Sequence, residues 1–443
     1  FINTNARKTN YASDVWESYF DGYQPDGPDD QPALQGLPEQ GREAYRHMIH
    51  SMWALDAQGV DYAARIATRC RQRGVSPWVS LRMNDVHNND NLAHPFHGQF
   101  WRDPRYFRGG SMGYFQRALD YAHPEVRDLY YRLVVETLQR YDMDGLELDF
   151  MREPYCFREG AEQEGAKVLD EWLRGVRKLT EATAARRGHP VRLGVRVPSR
   201  IEVAQGWGLD AVKWAREGLV DLVAPTPRWS TTEFAMPMAA WKQALAGTGV
   251  ELAGGLEILM RPMPAGPARC VTPAEALGGA AAVLAEGADH VYLFNYFPTQ
   301  ASWSRADYLQ TLQAMSSLEA IQKLPRCHAI TWRDITGPQE AYRAPLPATG
   351  TALAFELPTG PAPLPGAKVT LELQLKGDAT TAPPTAEING TACPFQGTKP
   401  NGKSALVTYA VPATAVRAVQ ANSISVTAAV AVTVEGVEVR IAP

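Results

Sequence analysis

Along the first three quarters of the chain, short apolar runs alternate with longer stretches of helical periodicity. The runs Phe1–Asn5, Trp78–Met83, Gly145–Phe150, Arg192–Val197, Leu219–Ala224, Glu251–Ile258 and His290–Phe297 read as strands. Between them, Pro124–Arg140 carries Val126, Leu129, Tyr130, Leu133, Val134 and Leu138 at spacings of three and four, which is one face of a helix. Val168–Leu179 repeats that pattern, and Thr272-Pro273 reads as a helix start, with a capping Thr and Pro in the first turn. Four links share one design: Arg73-Gly74, Arg187-Gly188, Glu217-Gly218 and Glu286-Gly287 each place Gly just past a helix, where a left-handed backbone closes it. A reused strand–helix unit implies a parallel sheet with helical crossovers. The expected fold is therefore α/β, a (β/α)8 TIM barrel over residues 1–325. Its eighth strand is expected between Ala6 and Gly74, where Asp21–Gln40 reads as a long loop.

The texture changes near residue 340. Pro and Gly crowd Pro345–Pro365, and then Lys368–Gln374, Ala405–Val411, Ser423–Ala428 and Ala431–Val439 alternate Val, Thr and Leu with no helical period. That predicts a C-terminal all-β sandwich or jelly roll over 346–443, joined by a linker at 326–345. Its few aromatic residues favour a role in supporting the barrel over one in binding sugar.

Composition narrows the class. The 443 residues exceed one ordinary core, and 45% hydrophobic with 21% charged residues is ordinary for a globular protein. A net charge of −4 without like-charge runs gives no reason to expect nucleic acid. No apolar run reaches the roughly 18 residues of a membrane span. Five scattered cysteines, with no CxxC, read as buried or free thiols, not as a metal site or disulfide framework. A chain starting at Phe1 suits a processed export segment, so a secreted or periplasmic bacterial protein is the expectation. No cofactor is expected, and the oligomeric state is left open.

In a barrel of this kind, chemistry sits at the C-terminal ends of the strands. In Asp144-Gly-Leu-Glu-Leu-Asp149, Leu146 and Leu148 share one face, while Glu147 and Asp149 share the other and point inward. Two interior carboxylates on one strand are costly unless partnered, so they are candidate catalytic groups, or else a structural pair neutralised by arginine. With the unplaced strand counted, theirs is the fourth. Glu257 ends the seventh, above Gly255 and Ala253, small residues that leave room. A carboxyl group from each of those strands suits glycoside hydrolysis, which needs one protonated and one ionised group. Candidate substrate-binding residues lie at the other strand ends: Arg82, Asn84 and His87; Arg152; Arg196; Arg228 and Trp229; Asn295 and Tyr296. Arg82, Arg152, Arg196, Arg228 and Arg261 outnumber the three carboxylates, which points to an anionic sugar, a uronate or a sulfated glycan.

The segment Asp144-Gly-Leu-Glu-Leu-Asp-Phe-Met-Arg152 resembles the DGIxLDxxR strand of the family-10-like glycosyl hydrolases, bacterial TIM-barrel proteins. The resemblance implies a barrel hydrolase with Asp149 as its strand-four carboxylate. Chitinase-like family 18 enzymes place their acid two residues after the last Asp of this strand, where Met151 stands. Amylase-like enzymes take their acid from the next strand, where Arg196 stands, and classical clan-A enzymes have Asn before the strand-four Glu, where Leu146 stands. The reading is a glycoside hydrolase using Asp149, Glu147 and Glu257 on a carbohydrate. Two alternatives remain: a non-catalytic glycan-binding barrel, and a metal-assisted lyase or hydrolase holding an ion with Glu147, Asp149, Asn84, Asp85 and His87.

Overall fold

A computed structural model of the chain describes residues 1–298, 303–377 and 383–443. The parallel strands are β1 (Ile2–Asn3), β2 (Trp78–Arg82), β3 (Gly145–Asp149), β4 (Arg192–Pro198), β5 (Leu222–Thr226), β6 (Glu251–Glu257) and, after the small β7–β8 hairpin (Leu259–Met260 with Arg269–Cys270), β9 (His290–Phe294). They follow the order β1-β2-β3-β4-β5-β6-β9. This is seven strands where eight were expected. Ile2 pairs directly with Val79, so no strand intervenes between β1 and β2. The stretch meant to hold the missing strand contains turns and two helices, Arg42–Ala57 and Tyr62–Gln72. The strand expected to begin at Leu219 begins instead at Leu222, because Leu219 and Val220 still complete the turn after Gly218, whose φ is 69°. All four expected helix-closing glycines have positive φ, and Thr272 with Glu275 forms a capping box.

The chain divides into two compact units: Phe1–Val197 with Ile201–Val223 and Gly247–Val250, and Pro198–Arg200 with Ala224–Ala246 and Glu251–Pro443. In the first unit, register stacks the inward side chains in layers. Trp78, Gly145 and Arg192 align; above them Ser80, Glu147 and Gly194; above those Arg82, Asp149 and Arg196. Leu146 and Leu148 face the other way and are wholly buried, as the period of two demands. The indole of Trp78 fills the floor, and glycine permits it: a Cβ on Gly145 would lie 2.3 Å from the ring and one on Gly194 2.9 Å.

In the second unit, β6 and β9 pair in parallel. The helix Pro273–Ala285 is buried on all sides, from Glu275 through Val283. Gly254 gives room to Val283, and Gly278 lies so close to β10 (Arg326–Ala329) that a Cβ would be 1.9 Å from the Cys327 carbonyl oxygen. Thus a strand stands inside the stretch read as linker. The remaining strands are β11 (Ala348–Pro358), β12 (Lys368–Lys376), β13 (Thr385–Ile388), β14 (Thr391–Cys393), β15 (Phe395–Asn401), β16 (Ser404–Val411) and β17 (Ala421–Ala442). The C-terminal stretch is all-β, as expected, and among the described residues its strands join through antiparallel pairing into one eight-stranded hydrogen-bonded network. The two runs Ser423–Ala428 and Ala431–Val439 fuse into β17, since no turn residue separates them. One end of β17 pairs with β11 and β13, and the other with β10 and β12. Its register shifts opposite Gln374/Leu375, so the buried positions pass from 422, 424 and 426 to 437, 439 and 441. All five cysteines are free thiols.

Candidate active site

The top two layers of the first unit hold the adjacent carboxyl groups Glu147 and Asp149, and the environment separates them. Asp149 accepts from the Arg196 guanidinium on both oxygens, at 2.9 and 3.1 Å, and from the Met151 N–H at 2.9 Å. Arg196 is fully buried beside it. Glu147, one layer down, has no exposed surface. Burial first and the Asp149 charge second push its carboxyl up to about 7, against a smaller downward pull from the Ser80 hydroxyl and Arg196. Glu147 therefore keeps its proton well above the pH at which an ordinary carboxyl loses it.

Beyond Arg82 the strand has ended and alternation no longer applies. Asn84 turns into the protein: its amide donates to the Leu119 and Tyr155 carbonyls and accepts from the Leu119 N–H, tying two loops together. Asp85 takes the position expected of Asn84. It is buried and receives Arg82 at 3.0 Å, Arg7 at 3.4 Å and His87 Nδ1 at 2.7 Å. Burial alone would raise its pKa, but His87, Arg82 and Arg7 hold it well below the usual carboxylate range. His87, half exposed, sits between Asp85 and Arg152, whose guanidinium lies 3.1 Å from Nε2. A guanidinium only donates, so Nε2 accepts and the proton resides on Nδ1, facing Asp85. Burial lowers the pKa of Arg152, and Arg82 and Arg196 lower it further. Asp85 and Arg7 are the site residues that sequence reasoning undervalued. The signal was the position of Asp85, three residues after the last inward residue of a strand. Glu147, Asp149, Asp85 and His87 do not converge as a metal-ligating group among the described residues; the one set that does is Glu275, Cys327 and Glu438.

The second unit carries the other expected residues. Glu257 ends β6 with no exposed surface; its Oε1 accepts from the Ile258 N–H at 3.0 Å and faces the Asn295 amide at 3.4 Å. Asn295, at φ 60°, turns the chain out of β9, and the Tyr296 hydroxyl lies 3.4 Å from the Glu257 carbonyl. The space above Gly255 is already filled: a Cβ there would lie 2.2 Å from Thr226 Oγ1. After β5, the Asp334 carboxylate accepts from the N–H groups of Arg228, Trp229 and Ser230, each at 2.8 Å. This holds Trp229 with 42% of its surface exposed and the Arg228 guanidinium 5.1 Å from its ring centre. Arg261 bonds the Pro264 carbonyl.

No family model matches the chain, and no curated protein matches it. Among solved structures, a cycloisomaltooligosaccharide glucanotransferase from Paenibacillus sp. aligns with TM-score 0.29 and 7% identity, over 85% of this chain and 47% of its own. Alpha-L-fucosidase isoenzyme 2 from Paenibacillus thiaminolyticus aligns with TM-score 0.42 and 15% identity, over 72% of this chain and 43% of its own. A family GH18 chitinase from Chromobacterium violaceum aligns with TM-score 0.33 and 10% identity, over 85% and 77%. The chain thus spans less than half the length of the first two. All three lie below 25% identity and TM-score 0.5, so none assigns an activity to this chain. No helix among the described residues is long and apolar enough to cross a membrane.

Proposed function

We propose that the chain is a glycoside hydrolase whose chemistry is carried by Asp149 and Glu257, with Glu147 as the protonated group beneath Asp149. The observation that carries this reading is the split of two neighbouring buried carboxyls, one engaged by Arg196 and the other pushed up to about 7. Hydrolysis between sugars requires two carboxyl groups in opposite protonation states. A protonated Glu147 spares Asp149 a second buried negative charge at close range, which would otherwise oppose its ionisation. Asp149 and Glu257 would each take part in proton transfer or attack. Arg82, Arg152 and His87 would bind the substrate, as would Arg228, Trp229, Asn295 and Tyr296 in the second unit. Asn84 would keep the loops in place. The charges acting on Arg152 include two further arginines, Arg82 and Arg196, against Asp85 and Asp149. That surplus supports an anionic sugar, such as a uronate or sulfated glycan. The proposal places catalysis within 1–325 and an accessory role in 346–443, for a protein acting outside the cytoplasm.

A non-catalytic glycan-binding reading draws on the same ion pair, because Arg196 occupies both Asp149 oxygens as a structural pair would. A screen of reducing-end release on neutral, uronate and sulfated glycans separates the two. Wild type should cut one class, and Asp149→Asn and Glu257→Gln should each lower the rate by at least about a hundredfold while the protein stays folded. Full activity in Glu257→Gln would remove Glu257 from the mechanism. Binding of a glycan with no cutting of any would transfer the assignment to the non-catalytic reading.

A further inference from the structure

The second unit contains a cavity of about 330 Å3 that none of the candidate catalytic or substrate-binding residues lines. Its wall comes from the loop after β5 (Glu233), the residues after β10 (Thr331, Trp332, Arg333) and strand β11 (Phe355), with Arg200 and Tyr342 closing it. The volume lies at the small end of ligand sites, which run from roughly 300 to 1,000 Å3.

Three features define what fits. Trp332, Phe355 and Tyr342 are among the lining residues, and the face of Tyr342 is taken by the Arg333 guanidinium, 4.3 Å from its centre. Polar groups are few and fixed. Glu233 is buried, with Ser199 donating to it at 2.8 Å and Arg200 in an ion pair with it at 2.9 Å. The indole N–H of Trp332 is shielded from solvent and has no acceptor among the described residues. A donor in that state is rare in folded proteins, and a ligand oxygen would satisfy it. Both lining arginines are committed. Arg200 pairs with Glu233, Arg333 with Glu340, and Asp334 is engaged by three backbone N–H groups. Glu356, exposed on β11, adds negative charge at the wall. An anion finds no uncommitted cation here, and a cation must compete with two arginines.

We propose that this cavity is a binding site for an uncharged saccharide of one or two rings. Its C–H faces would rest on Trp332 and Phe355, and its hydroxyls would bond the Trp332 N–H and the Glu233 carboxylate. Sugar rings present this combination of apolar faces and edge hydroxyls, and aromatic side chains with a polar tip suit them. The site differs in character from the arginine-rich cluster around Asp85. It also bears on strand β11, and so gives the C-terminal sheet a share in ligand recognition that its exposed surface did not advertise.

The test is calorimetric titration of the full chain with the methyl glycosides of glucose, galactose, mannose and N-acetylglucosamine, and with their β-1,4 and α-1,4 disaccharides. Glucuronate serves as the charged control. One neutral sugar should bind saturably. Trp332→Phe, which keeps a ring but removes the N–H, should weaken that binding roughly tenfold. Glu233→Gln should weaken it as well, and if that variant unfolds, Trp332→Phe alone decides. The proposal fails if no neutral sugar binds, if glucuronate binds better than every neutral sugar, or if binding survives Trp332→Phe undiminished. Because the readout is binding, it stands apart from whether the protein cleaves anything.

Discussion

Glu147 makes the folded chain hold a proton that the unfolded chain releases. Its carboxyl titrates near 4.5 when free of the fold and at about 7 within it, through burial and then the Asp149 charge. A carboxyl with a raised pKa in the folded state favours folding at low pH and progressively less as pH rises between those two values. Wild type should therefore lose stability from pH 4.5 to 7 by a contribution that Glu147→Gln lacks. Urea unfolding of both proteins at pH 5 and pH 8 gives the difference, in which all other titrations cancel. A stability gap independent of pH would show that Glu147 stays ionised throughout. At this scale the sequence was legible where the strand was regular: the period of two put Glu147 and Asp149 on one interior face. It was illegible where the strand stopped. Counting by twos from Ser80 and Arg82 reached Asn84, yet the backbone turns after Arg82, so Asn84 binds loops and Asp85 holds the guanidiniums and His87.

Between β2, β3 and β4, one oversized side chain fills the room left by two absent ones. Trp78 lies across the positions where Gly145 and Gly194 would carry Cβ atoms. Gly145→Ala puts a methyl 2.3 Å from the indole, closer than packing tolerates, and should cost about 1–3 kcal/mol or more as the sheet shifts. Trp78→Leu alone leaves a cavity and should cost about 3 kcal/mol. Combined, the two changes relieve each other, so the double variant should be more stable than the sum of the single losses implies. Strict additivity in denaturant midpoints would mean that the indole does not need the room that Gly145 leaves. The same elements show why some boundaries could be read and others not. Helix ends carry local chemistry, a capping Thr272 with Glu275 or a left-handed Gly188, which sequence displays directly. A missing strand carries none. The expectation of an eighth strand came from the ideal barrel, and only the direct pairing of Ile2 with Val79 removes it. The start of β5 was misplaced because Leu219 and Val220 are apolar for the turn they bury, a role that a hydrophobic run does not distinguish from a strand.

The helix Pro273–Ala285 argues that the chain cannot be cut where its composition changes. A helix at the rim of an α/β sheet normally shows one apolar stripe and one wet face. This one is buried from Glu275 to Val283 all the way round. Leu256 and the backbone at Gly254 cover one side, approaching Gly279 and Val283. On the other, the Cys327 carbonyl meets Gly278 and Gly360 meets Ala281. Arg269 ties Glu275 at 2.5 Å and lies 3.8 Å from Glu438 of β17, so the cap of the helix is wired to the last strand. Composition could not reveal this, because the 326–345 stretch looks like a linker while β10 inside it pairs with β17 near the C-terminus. A fragment ending at residue 325 would expose the Gly278 and Ala281 side of the helix and remove both β10 and the Gly360 segment that cover it. It should show no cooperative unfolding transition and should be cleaved rapidly by a non-specific protease. The full chain should resist under the same conditions. A fragment 1–325 that melts cooperatively and resists proteolysis would establish that the N-terminal three quarters fold alone. In that event the C-terminal sheet would be an appended module, with the helix free to present a wet face of glycine and alanine.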